Sequence, residues 1–217
     1  MVHAHLLLTN GAVTANVGDL MTVPWWSFSK TVIAATALRL VDQKKLSLDE
    51  PRDGITLRQL LRHESGLRDY GMVQAYHDAV ADDEAPWPRL EMLERSQARA
   101  LLFPPGEGWS YSNIGYMKVR ERIEQAHGPL ASAAAELVLD PVGVIGAWLA
   151  EEPDDLSDVQ MGTAQGYDPG WVYHGLFVGP LVGAAHLLDV LLGPHSPLSA
   201  PARAQMLQLH DLSLIHI

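Results

Sequence analysis

The stretch SFSKTVIAATALRLV at residues 27–41 determines how the rest of the chain is interpreted. In its last ten residues only Thr36 and Arg39 are polar. A helix that is apolar on nearly all sides is usually buried at the centre of a domain, because no face of it suits water. The sequence therefore predicts a central helix from Ser27 to about Gln43.

Ser27 and Lys30 form a Ser-x-x-Lys pair at the start of this helix, and residues three apart lie on one helical face. A serine hydroxyl becomes a strong nucleophile when a neighbour takes its proton, and a desolvated lysine with a lowered pKa can do so. The helix N-terminus also favours the negative charge that develops. A lone pair of this kind is a weak signal, because chance produces it in roughly one in five such chains, and a structural role is its commoner explanation.

Tyr111-Ser112-Asn113 is the second element. The Tyr111 phenol could relay a proton beside a cationic lysine, and the Asn113 amide could hold the lysine or bind a substrate carbonyl. Chance produces both motifs together in roughly 2% of sequences of this composition. The candidate catalytic residues are therefore Ser27, Lys30, Tyr111 and Asn113.

The motifs also occur in the order that one family uses: Ser27-x-x-Lys30, the stretch ITLRQLLRHESGL at 55–67, Pro104-Pro105-Gly106, and Tyr111-Ser112-Asn113. The chain resembles serine β-lactamase-related proteins of the class C β-lactamase, D-Ala-D-Ala carboxypeptidase and esterase type. The likeness runs from about Leu20 to Leu209. It implies an α+β, β-lactamase/transpeptidase-like fold, with an antiparallel sheet flanked by helices, a mostly helical second lobe and an active site between them.

The resemblance also implies the chemistry. Ser27 would be the acylated nucleophile, Lys30 its proton acceptor, Tyr111 the partner base and Asn113 an anchor for substrate and lysine. The expected activity is serine hydrolysis of a small-molecule or peptide acyl substrate, an ester, amide or β-lactam, through an acyl-enzyme and without any cofactor or metal. The alternative is a non-turnover penicillin-binding protein or pseudoenzyme that only holds a ligand.

Two departures from the family pattern affect these expectations. Family members carry a third motif, Lys-Thr-Gly or His-x-Gly, on a strand that closes the cleft and donates one of two oxyanion N–H groups. His174-Gly175 is the only candidate, and it precedes Leu181–Leu192, which resembles the helix before that strand. His174 is therefore interpreted as structural, the C-terminal sheet strands are expected to be missing, and little activity is expected from this chain. Lys44 replaces the glycine that is usual after the nucleophile helix in the family, and this replacement costs folding stability if the φ of Lys44 is positive.

The domain prediction follows from the same resemblance. One β-lactamase-related domain is expected over 1–211, with N-terminal strands and the nucleophile helix at 1–50, a mostly helical lobe at 51–170, and a return segment and helix at 171–211. The last residues, LSLIHI at 212–217, are what one frame of CTGTCTCTTATACACATCT encodes, the end of a transposase adapter. They are interpreted as an adapter-derived tail, with a natural apolar tail as the alternative.

Composition excludes several other classes of protein. The 217 residues include no Cys, which excludes disulfide frameworks and thiolate nucleophiles, and a net charge of -11 disfavours nucleic acid as a partner. The start lacks the basic region of a secretory signal, which predicts a cytoplasmic protein, and Leu176–Leu192 is too short and too polar to span a membrane. His3-x-His5 lacks further ligands at suitable spacing, so no metal site is expected. The oligomeric state is left open.

Overall fold

A computed structural model describes residues 5–9, 12–18 and 20–208 of the chain. Strands β1 (His5–Thr9) and β2 (Ala12–Val17) pair antiparallel, with an irregularity in register between Leu7 and Leu8. Asn10-Gly11, whose tolerance of positive φ favours a tight turn, predicts this pairing, although the dipeptide itself lies outside the described residues. The predicted tail at 212–217 and His3 lie outside them as well.

A second antiparallel sheet contains β3 (Thr22–Pro24), β4 (Trp148–Ala150) and β5 (Leu176–Pro180), in the order β3-β5-β4. Strand β5 is central and buried along most of its length. Strand β4 comes from within the stretch predicted to be mostly helical. The described residues thus form an α+β fold with two small sheets, as the sequence predicts for the fold class.

The helices surround these sheets. Their bounds are α1 (Ser29–Asp42), α2 (Leu57–Leu61), α3 (Gln74–Ala81), α4 (Arg89–Arg95), α5 (Asn113–His127), α6 (Leu130–Ala134), α7 (Asp140–Val142), α8 (Leu181–Leu192) and α9 (Ala200–Leu207). A π-helical turn, Ala135–Leu139, joins α6 to α7, and a 3-10 turn, Trp26–Phe28, leads into α1. No helix in the described part of the chain is long and apolar enough to cross a membrane.

Helix α1 is buried at the centre, as its composition predicts. Val32, Ile33 and Leu40 have no exposed surface, and the helix packs against α5, α6 and α9. The prediction placed its start at Ser27, whereas Ser27 lies in the preceding 3-10 turn. After the helix ends, Lys44 has a φ of 60°, so the position does require the left-handed conformation that a glycine adopts at lower cost.

The turn after α2 fixes the loop that carries Tyr111. Thr56 and Gln59 form a capping box at the start of α2, and the chain then reverses at His63 and Gly66, both with positive φ. Three backbone hydrogen bonds join this turn to the later loop: Leu102 N to Gly66 O, Gly106 N to Glu64 O, and Ser110 N to His63 O. The RHESGL segment is therefore the support on which the second motif rests.

Gly66 and Gly54 provide a matched test of this support, because their φ values are +72° and +76°. A Cβ on Gly66 would collide with the carbonyl oxygen of Phe103, whereas a Cβ on Gly54 would meet no atom within 4 Å. Gly54→Ala should cost about 1 kcal/mol of unfolding free energy from backbone strain alone. Gly66→Ala should cost about 2 kcal/mol more, measured by urea denaturation. Equal losses would show that the contact with Phe103 does not constrain the turn.

Candidate active site

Ser27 is exposed and is held from both sides by strand β5. Trp25 N donates to Phe177 O at 2.8 Å, and Phe177 N donates to Ser29 Oγ at 2.9 Å. Trp26, immediately before Ser27, has a φ of 40°, in the left-handed region that L residues rarely adopt. The serine therefore sits on a strained turn whose flanking residues are fixed to the sheet.

The structure brings the four candidate residues together. Ser27 Oγ lies 2.8 Å from Tyr111 Oη, and Lys30 Nζ donates to Asn113 Oδ1 at 2.7 Å. Lys30 Nζ also lies 4.9 Å from the centre of the Tyr111 ring. The sequence analysis paired Ser27 directly with Lys30, but among the hydrogen bonds of the described residues the one at Ser27 Oγ goes to Tyr111. The phenol is thus the side chain at hydrogen-bonding distance from the serine hydroxyl.

Burial controls the protonation of both neighbours of Ser27. Burial lowers the pKa of Lys30 to about 7, and the negative charge of Asp69 partly opposes that change. Near neutral pH a large fraction of Lys30 is therefore the free amine. Burial also raises the pKa of Tyr111, against the lowering effect of its hydrogen bond with Ser27, so the phenol is protonated in the resting site.

Asp69 orients Asn113, a role that sequence analysis missed. Its Oδ1 accepts from the Asn113 backbone N at 3.2 Å and from Asn113 Nδ2 at 3.0 Å, as well as from Gly71 N at 3.2 Å. With Nδ2 held by the carboxylate, Oδ1 of the amide is directed to Lys30. The sequence signal for Asp69 is that of a capping residue before the short turn Tyr70–Met72, which does not disclose this second contact.

His63 and Ser112 hold the second motif in place. Ser112 caps α5 by accepting from Gly115 N at 3.0 Å, and its own backbone N donates to His63 Nδ1 at 3.1 Å. Burial, followed by the positive charge of Lys30, lowers the pKa of His63 to about 4, so the ring stays neutral and able to accept. His63 thus serves as a hydrogen-bond acceptor in the turn after α2.

His174 also lies in this site. Its Nε2 is 3.0 Å from Lys30 Nζ, and its side chain is buried. The sequence analysis interpreted His174 as structural and did not predict its contact with Lys30. It joins the site through a contact with a residue 144 positions earlier, and no local pattern could indicate that.

A cavity of about 580 Å³ extends beside these residues, and Ser27, Lys30 and Tyr111 form part of its wall. Most of the remaining wall is apolar and includes Ala34, Leu38, Leu61, Leu188 and Met206. Cavities of this size hold small organic ligands. Within the described ranges, no group of three or more His, Asp or Glu side chains is arranged to hold a metal ion.

A sequence model of the β-lactamase family matches residues 14–211, which is most of the chain. The chain belongs to this family. The order of its motifs predicted that membership, and the match confirms it. The matched range includes all four candidate residues.

Similar proteins include hydrolases of several kinds. Esterase EstB of Burkholderia gladioli is 32% identical over 142 residues, covering 54% of this chain and 36% of the esterase. A D-aminopeptidase of Cereibacter sphaeroides is 31% identical over 149 residues, covering 63% of this chain and 27% of the aminopeptidase. The structure of a D-stereospecific amidohydrolase from Streptomyces superposes with a TM-score of 0.72 at 21% identity, covering 91% of this chain and 68% of the other. That superposition confirms the fold. The matches span about a third of the length of each of the two curated relatives.

The lowered pKa of Lys30 makes stability depend on pH in a defined direction. Between pH 7 and 10.5 the unfolded chain keeps the Lys30 proton that the folded chain has lost, so folding becomes more favourable as the pH rises. We expect the unfolding free energy of the wild type, relative to Lys30→Met, to increase by about 1 kcal/mol per pH unit between pH 7.5 and 9.5. Urea denaturation at several pH values measures it. Lys45→Met, at an exposed lysine, serves as the control, and the difference in unfolding free energy between it and the wild type should not change with pH. A difference between the wild type and Lys30→Met that does not change with pH would contradict the burial of the Lys30 amine.

Proposed function

We propose that the protein is a serine hydrolase that forms an acyl-enzyme on Ser27, with an ester, amide or β-lactam of a small molecule or peptide as substrate. The observation that carries the proposal is the 2.8 Å contact between Ser27 Oγ and Tyr111 Oη, beside a buried lysine whose pKa is about 7. A nucleophile, a hydrogen-bonded proton acceptor and a third group that sets the charge of that acceptor are the parts that acyl transfer requires.

In the proposed acylation step, Ser27 Oγ attacks the substrate carbonyl carbon and its proton passes to Tyr111. The Tyr111 proton is taken in turn by the free amine of Lys30, and the carbonyl electron pair moves onto oxygen. The tetrahedral intermediate then expels the leaving group, which receives the proton back from the same pair. Water attacks the acyl-enzyme by the same route and regenerates the Ser27 hydroxyl.

The start of α1 favours the oxyanion that forms when Ser27 attacks the carbonyl carbon. A covalent adduct on Ser27 reports the acylation step alone, so it is the best first readout, ahead of steady-state turnover.

The relatives support the acyl substrate class. One is named an esterase and another a D-aminopeptidase, and these names describe those proteins. Together they span ester and amide chemistry on a shared family scaffold. The cavity of about 580 Å³ beside Ser27 is of a size for a small acyl group and its leaving group.

The 217-residue chain should be incubated with a fluorophosphonate probe and, separately, with penicillin, and the modified peptide identified by mass spectrometry. We expect both to label Ser27, Ser27→Ala to abolish the label, and Ser47→Ala, at an exposed serine, to retain it. Equal labelling of Ser27→Ala would refute the assignment. A burst of acylation with no later hydrolysis would indicate the alternative, a protein that binds acyl ligands without turnover.

Lys30 must be a free amine to take the proton, so the rate of Ser27 labelling should rise with pH through about 7 and then level off. The Asp69 carboxylate opposes the lowering of the Lys30 pKa, so Asp69→Asn should move this rise to lower pH. The rate constant of fluorophosphonate labelling between pH 5 and 9 measures the shift. Asp78→Asn, at an exposed carboxylate on α3, is the control. A midpoint that Asp69→Asn leaves unchanged would contradict the electrostatic coupling.

A further inference from the structure

His174 occupies a tightly fixed position between the turn Pro169–Trp171 and strand β5. It is 4% exposed, and Gly175, which follows it, has a φ of +103° and donates its backbone N–H to Val172 O at 2.7 Å. The positive φ favours glycine at position 175, and a Cβ there would also approach Leu149 Cδ1 to 2.8 Å. The imidazole is therefore buried next to a backbone position that suits glycine, at the point where it meets Lys30.

The amine of Lys30 has two hydrogen-bond partners on side chains. Asn113 Oδ1 lies 2.7 Å from Nζ, and His174 Nε2 lies 3.0 Å from it. A free amine carries two hydrogens and one lone pair, so two acceptors engage both hydrogens. The lone pair is then left for the remaining side of Nζ. The centres of the Tyr111 and Tyr116 rings lie 4.9 Å and 5.6 Å from Nζ.

The orphaned nitrogen of His174 fits this arrangement. Within the described ranges, His174 Nδ1 is buried and has no hydrogen-bond partner. If Nε2 accepts from Lys30, a neutral ring must carry its proton on Nδ1, where a buried N–H without an acceptor is unfavourable. A buried polar group without a partner calls for an explanation, and here the other end of the ring contacts the amine of Lys30.

We propose that His174 is a positioning residue, which accepts a hydrogen bond from Lys30 through Nε2 and, together with Asn113, directs the Lys30 lone pair at Tyr111. This deepens the proposed function and rests on it. His174 does not touch the substrate and does not exchange a proton in the cycle. It acts by fixing the direction from which Lys30 accepts one.

The surrounding charges keep the ring in the form that this role needs. Lys30 faces His174 from α1, Arg120 faces it from α5, and His63 faces it from the turn after α2. Burial and the positive charges of Lys30 and Arg120 hold the pKa of His174 well below its ordinary value. Asp69 is the anionic group acting on Lys30, and Tyr111 and Tyr116 present their ring faces to its Nζ. His174 is thus neutral throughout the range in which Lys30 titrates.

Two variants separate positioning from packing. His174→Leu fills similar space and removes the acceptor. His174→Gln keeps an acceptor, because its amide oxygen can take the place of Nε2. We expect His174→Leu to lower the plateau rate of Ser27 labelling by about 10- to 100-fold, because the lone pair is no longer directed. The midpoint of the pH dependence should also move to lower pH, since the ammonium form loses an acceptor. His174→Gln should restore both, and His186→Leu, at a histidine on α8 that contacts Val142 O, should change neither.

A thermal melt of each variant shows whether the fold is kept. A loss of rate in His174→Leu with an unchanged pH midpoint, or a loss that His174→Gln does not recover, would reduce His174 to a packing residue and overturn the proposal. Failure of the wild type to label at Ser27 under any condition would instead overturn the proposed function.

A direct measurement on the wild type tests the role of His174 separately from the proposed function and needs no variant. Nitrogen-15 NMR of histidine-labelled protein distinguishes a ring nitrogen that bears a hydrogen from one that bears a lone pair. We expect His174 to show the lone pair on Nε2 and the hydrogen on Nδ1 between pH 6 and 9. A hydrogen on Nε2 would overturn the proposal even if Ser27 is labelled normally.

Discussion

The buried amine of Lys30 is the constraint around which this structure is organised. Burying an ammonium group is unfavourable unless partners compensate, and here the compensation comes from three separate parts of the chain. Asn113 at the start of α5 and His174 before β5 contact Nζ directly, while Asp69 acts through Asn113 and through its charge. Each of these residues belongs to a different part of the chain, so α1, α5 and the central sheet must pack correctly for all of them to reach Lys30. The result is an amine that titrates near neutral pH.

The rest of the site follows from how the two motifs are anchored. Strand β5 fixes the residues on either side of Ser27, and the turn after α2 fixes the loop before Tyr111. Four of these anchors are backbone–backbone hydrogen bonds, and the fifth joins Phe177 N to the Ser29 hydroxyl. Because both motifs are attached to the scaffold in this way, the 2.8 Å contact between Ser27 and Tyr111 needs no flexible segment to form it.

Sequence alone was sufficient where the signal was local. The apolar composition of α1 predicted a buried central helix, and Asn10-Gly11 predicted the pairing of β1 with β2. At Lys44 a cost was expected only for a positive φ, and the observed φ of 60° meets that condition. Motif spacing identified four residues that the fold then brings together. His174 and Asp69 were missed because their roles arise from contacts with residues distant along the chain, and such contacts leave no periodic pattern. Helical spacing predicts that Ser27 and Lys30 lie on one face, but it does not indicate that the Tyr111 hydroxyl lies at hydrogen-bonding distance from Ser27 Oγ.

The capping role of Ser112 limits how the second motif can vary. Tyr111 precedes α5 and Asn113 is its first residue, so the angle between phenol and amide is set by the point at which the helix begins. Ser112 fixes that point with its hydroxyl, although it performs none of the chemistry itself. A middle residue without a side-chain acceptor would leave Gly115 N without this cap, at a typical cost of about 1 kcal/mol of helix stability. Loss of the cap would therefore shift the positions of Tyr111 and Asn113 relative to each other while leaving both residues unchanged in the sequence.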